Sequence, residues 1–189
     1  MYRIVFLLTL ILSSGCAGND PRTTDKLDPQ TGVTITYSEI PMVFYRDDSG
    51  KAAHARSLIH MGPLEVNRMG EFRYYLWLGV WDTLQDANKG QTRDGFDSVV
   101  IFANGEPLSL DLAGWTAAAI GASEHVYVRP VASAADAYYE VTVDQLRLIA
   151  ASNDLRIQST GPGARSYEMW DQQTSAKQSL LEFLRNSVY

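Results

Sequence analysis

From Glu71 to Asp82 the chain alternates without a break, and this stretch constrains the fold more than any other. Phe72, Tyr74, Leu76, Leu78 and Val80 share one phase, and Arg73, Tyr75, Trp77, Gly79 and Trp81 share the other. A two-residue period places these sets on opposite faces of an extended strand, where a helix would scatter both around its circumference. A strand of this length needs neighbours to pair with, so the domain must be built around a sheet.

The flanking sequence agrees. Val33, Ile35 and Tyr37 alternate with Thr34, Thr36 and Ser38. Pro41 then interrupts the ladder before Met42 to Tyr45 resume it. Ser57 to Met61 reads as a further strand, ended by Gly62-Pro63. Phe96 to Leu112 is a hairpin, with Val99 to Phe102 leading into Asn104-Gly105 and Leu108, Leu110 and Leu112 leading out. Asn-Gly suits the positive φ of a two-residue turn. His125 to Arg129 and Tyr138 to Val143 read as strands, and Leu155 to Gln158 pairs with Ser166 to Trp170 around Gly161-Pro162-Gly163.

Helical signals are fewer. Trp115 to Ile120 fits one helical turn or a loop. Thr142 with Gln145 three residues on forms a capping box for a helix through Ala151. Ala176, Leu180, Phe183 and Leu184 have the spacing of a C-terminal helix. Strands in succession without regular helices between them argue for antiparallel pairing. The expected fold is mostly β, or α+β: an antiparallel sandwich or open barrel of about eight strands with two short helices. At 189 residues the chain is long enough to bury a core without cross-links.

The single cysteine, Cys16, rules out an intrachain disulfide. It stands behind Arg3, an apolar run from Ile4 to Leu12 broken by Thr9, and the small residues Ser13-Ser14-Gly15. A membrane-spanning helix needs about 20 apolar residues, so this run is too short to remain as a spanning anchor. Leu12-Ser13-Ser14-Gly15-Cys16 resembles the bacterial lipoprotein signal, in which the cysteine is acylated and becomes the first residue of the mature chain. Ser13 departs from that pattern, which usually has leucine three places before the cysteine. The resemblance implies a signal peptide over 1–15, palmitate-type acylation of Cys16 and lasting attachment to a lipid membrane. It also implies export to the cell envelope. Ala17, where aspartate marks retention at the inner membrane, implies an outer-membrane protein facing the periplasm. Residues 16–30 read as the acylated cysteine and a flexible tether, with Pro21, Pro29 and three aspartates, leaving 31–189 as one globular domain.

The net charge of −6 and the lack of a basic run argue against nucleic acid as a partner. Tyr75, Trp77 and Trp81 share one strand face, and exposed they would form a stacking platform for sugars or an anchor for a partner. Buried, they would be core. Asp86, Asn88, Asp94 and Asp97 have the spacing of an oxygen-ligand calcium loop, but Gln91 stands where the sharp turn requires glycine. His54, His60 and His125 have no chelating spacing for zinc. No catalytic residue stands out: there is no Gly-x-Ser-x-Gly elbow, phosphate-binding loop or dinucleotide fingerprint, and no cofactor is implied. The sequence therefore points to a non-enzymatic envelope lipoprotein that binds another envelope component, a protein. The alternatives are a carbohydrate- or small-ligand-binding module using the aromatic face and, behind it, a hydrolase without a recognisable motif.

Overall fold

The computed structural model describes residues 23–48, 50, 52–84, 93–161, 163–171 and 173–187. Ten strands occur among them: β1 (Thr23–Leu27), β2 (Thr34–Ser38), β3 (Met42–Asp47), β4 (Arg56–Arg68), β5 (Glu71–Asp82), β6 (Ser98–Ala103), β7 (Glu106–Gly114), β8 (Ala135–Val141), β9 (Leu155–Ser159) and β10 (Ser166–Met169). The helices are α1 (Val143–Ala151) and α2 (Thr174–Ser187), with a short 3-10 turn at Ala117–Ile120.

Eight strands close on themselves in the order β3-β4-β5-β8-β7-β6-β9-β10, every neighbouring pair antiparallel. The fold is a closed barrel, and closure removes the edges an open sheet would leave. The long β4 holds the design together. Its first half pairs with β3 and its last residues pair with β2 on that same edge, while β5 runs along the whole of its other edge. The β1–β2 hairpin is thus a flap on the barrel wall.

Gly62-Pro63 was expected to end a strand, yet β4 runs through it. The reason is positional. These two residues fall between the β3 register, which ends at Met61, and the β2 register, which begins at Leu64. A proline there removes no ladder bond on that edge.

The barrel interior is packed. Phe44, Ile59, Leu76, Leu78, Ile101, Tyr139, Ile157 and Tyr167 are buried in one cluster, and Leu146, Ile149, Leu180 and Phe183 bring α1 and α2 into it as a plug. The capping box forms as read: Gln145 N–H donates to Thr142 Oγ1 (3.2 Å), and Thr142 N–H donates to Gln145 Oε1 (2.8 Å). The Asn104-Gly105 hairpin also forms, with φ of 51° and 87°.

Two expectations change. Residues 23–30, read as part of the tether, are ordered. β1 pairs with β2 over five residues, and Asp28 closes the turn after it. Polar composition suits an edge strand whose partner supplies the apolar face. His125 to Arg129 is not a strand: Val126 and Tyr127 instead pack into a second buried cluster on the outside of the barrel.

Candidate functional site

The aromatic face of β5 lies in that second cluster. Val33, Ile35, Leu64, Val66, Tyr75, Trp77 and Tyr138 form its floor, and the segment from Ala117 to Tyr127 forms its lid. Trp77 is 1% exposed and Tyr75 5%, so neither offers a surface for stacking. Tyr127 stacks on Trp77 with ring centres 4.5 Å apart and planes at 13°, and meets Tyr37 edge-on at 5.4 Å. Its hydroxyl donates to the Pro63 carbonyl at 2.9 Å. Gly62 makes this possible, since a Cβ there would sit 2.3 Å from the Tyr127 ring.

Gly79 leaves no open gap beside the tryptophan, because a Cβ there would lie 2.5 Å from the Trp77 ring. Trp81 is half-buried and edge-on to His60 at 6.2 Å. The binding platform is therefore corrected to core at Tyr75 and Trp77. The physical reason is that β5 is covered on both faces, by the barrel interior and by the lid.

Asp136 on β8 secures this cover. One oxygen accepts from Trp77 Nε1 at 3.0 Å, and the other takes Arg129 Nη2 at 2.6 Å and lies 2.8 Å from His125 Nδ1. A histidine oriented by a buried carboxylate is part of a hydrolytic triad. Here, though, the same carboxylate also takes an arginine and an indole, and the assembly holds down the lid.

Asp94 and Asp97 are exposed, and Asp86 and Asn88 lie outside the described residues, as do Cys16 and the signal segment. Among the described residues no three His, Cys, Asp or Glu side chains gather as they would around a metal ion.

One concave surface with polar chemistry is not read from the sequence. It is a cleft of about 570 Å³ between the β1–β2 flap, the far end of β4 and the C-terminal turn of α2. Register explains its walls. Asp25, Thr36, Glu65 and Tyr74 form one lateral row across β1, β2, β4 and β5, and Leu27, Thr34, Asn67 and Phe72 form the next. Paired residues share a face. Glu65 follows Ile59 and Met61 in the inward phase of β4, so the barrel interior continues into the cleft as a polar surface.

Glu65 is 6% exposed, and its Oε2 has no hydrogen-bond partner among the described residues. Burial raises its pKa above the ordinary carboxylate value. The Tyr74 hydroxyl beside it works against that shift, and the Asp25 charge adds to it. Tyr74 donates to the Ser187 carbonyl at the end of α2 (2.9 Å), and its own pKa is pushed up to about 12, first by burial and then by Glu65. Asp25 accepts from Thr36 Oγ1 at 2.6 Å, and Arg185 stands exposed at the mouth. A signal for the site did exist: a glutamate in phase with Ile59 and Met61. Ending the strand at Gly62-Pro63 hid it.

A second groove, on the opposite face of β4 and β5, is lined by Arg68, Arg73, Tyr75 and the turn at 118–121, with Glu71 accepting from Arg73 at 2.9 Å.

The class defined by fold and site is a closed eight-stranded antiparallel barrel with a helical plug, a side flap and a polar cleft beneath that flap. No family model, curated protein or solved structure matches the chain.

Proposed function

We propose that the chain is an exported lipoprotein, held at the cell envelope by acyl chains on Cys16, whose barrel binds another envelope component, a protein, without catalysing a reaction. The observation that carries this reading is the place of the lone cysteine, directly behind the short apolar run and the Ser13-Ser14-Gly15 stretch. The first described strand begins at Thr23, seven residues beyond it. Fully extended, such a link reaches about 25 Å, enough to clear lipid headgroups while keeping the domain beside them. Ala17 supports release to the outer membrane in an organism that has one.

The packed interior bears on the kind of component. A barrel with its lumen filled by side chains has no room for a central ligand, so recognition falls to its outside. Growth with a clickable palmitate analogue tests the anchor. The wild-type chain takes up label and Cys16→Ser does not; an unlabelled wild type ends the lipoprotein reading. Mild cross-linking in intact envelopes followed by purification tests the binding role, and no reproducible adduct from the anchored chain refutes it.

A second reading, a small-ligand-binding module, is favoured by one observation. The ligand surface is the cleft lined by Glu65, whose Oε2 has no partner among the described residues, in place of the aromatic face of β5.

A further inference from the structure

We propose that the cleft beneath the β1–β2 flap is a cation site, which takes an ammonium or guanidinium group onto the Glu65 carboxylate with Asp25 as the second anion. The argument begins with an unsatisfied atom. Buried carboxylate oxygens are almost always hydrogen-bonded, and one left open in a native protein calls for an explanation. Glu65 Oε2 is such an atom, in a residue only 6% exposed that lines a cavity large enough for a small ligand or a long side chain. Of its row, Thr36 bonds to Asp25, and the Tyr74 hydroxyl, which donates to Ser187 and also stands beside the Glu65 carboxyl, leaves Oε2 without a partner among the described residues.

The sign of the expected partner follows from the charges around the cleft. Asp25 stands two strands further out, roughly 10 Å from Glu65 by the lateral spacing of strands. The carboxyl end of the 14-residue α2 points into the same space and carries the negative end of its dipole. The whole chain is acidic. Against these stand Arg185, exposed at the mouth, and Arg147 on α1, which acts on Tyr74. The balance is anionic where the open oxygen lies. A charged N–H donor satisfies a desolvated carboxylate better than a neutral donor does, because both the hydrogen bond and the charge are compensated. Exposed Leu27 and Phe72 flank the row and suit the aliphatic stem of such a group.

This inference deepens the reading that the domain binds a component and does not depend on the anchor. It is tested by titrating the full chain in detergent micelles, labelled with 13C at glutamate Cδ. The probes are putrescine, a lysine-containing hexapeptide, and 1,4-butanediol as the neutral match. Putrescine or the peptide should move the Glu65 resonance saturably and lower its titration midpoint, with release of a proton. Glu65→Gln should weaken the amine at least tenfold while keeping native spectral dispersion. Asp25→Asn, on the exposed flap, should weaken it by less.

Saturation by the peptide alone assigns the cation to a protein partner, and saturation by putrescine alone assigns it to a free amine. Butanediol acting as putrescine does, unchanged amine affinity in Glu65→Gln, or no saturable shift overturns the proposal. If the cleft is silent while cross-linking still captures a partner, the binding role stands and only this site falls.

Discussion

Asp28 lies in a stretch whose composition reads as an unstructured link, yet its carboxylate organises two separate parts of the chain. It accepts from the backbone N–H groups of Gln30 and Thr31, which shapes the β1–β2 turn, and from the N–H and hydroxyl of Ser123 in the lid. These bonds, the one from the Ser123 backbone foremost, hold its pKa down to about 2. A carboxylate with a depressed folded pKa contributes stability above its unfolded pKa and loses it as pH falls toward the folded value. Asp28→Ala should therefore lower Tm at neutral pH and show progressively less effect from pH 4 toward 2. A deficit that stays constant across that range would refute the assignment. Gly105 makes a different residue-scale case. Open space surrounds its missing side chain, so Gly105→Val should cost about 1–3 kcal/mol through positive φ alone, read from denaturant midpoints.

At the level of elements, what was legible in the sequence was whatever depends on local pattern. The β5 alternation, the Asn-Gly turn, the Thr142 capping box and the C-terminal helix are local signals and formed as read. What was not legible depends on a partner remote in sequence. β1 is a strand because β2 borders it, and Gly62-Pro63 is tolerated because β4 changes neighbours there. The face of Tyr75 and Trp77 is core because a segment 50 residues further on covers it. The cleft was lost by the same route, since the inward phase of Glu65 is visible only if β4 continues past Pro63. The lid can be tested as an element. Tyr127→Ala and Trp77→Ala should each cost about 3–5 kcal/mol, as truncation of a buried aromatic does, while half-buried Trp81→Ala should cost less. Equal losses at Trp77 and Trp81 would contradict the burial described.

For the whole molecule, the flap has two faces with opposite roles. Its outer side, Val33 and Ile35, closes the second core, and its inner side, Asp25, Thr36 and Thr34, walls the cleft. The wall of the cleft and the floor of the lid thus belong to one hairpin, and pH should act on both sides of it. Glu65 carries a folded pKa raised by burial, so the proton it holds in the native state is bound more tightly than in the unfolded chain. Its contribution is fully present below the unfolded pKa and is lost as pH rises through the folded one, the reverse of Asp28. Wild-type stability should thus climb as Asp28 ionises and then lose part of that gain as Glu65 does. Glu65→Gln keeps the shape of the protonated acid and removes the ionisation. It should leave Tm unchanged in acid, where Glu65 is already neutral, and raise it relative to wild type at neutral pH. Melting curves of both chains from pH 3 to 8 decide the matter. Parallel profiles would mean that Glu65 ionises in the native state without penalty, and that the carboxyl is solvated where the structure buries it.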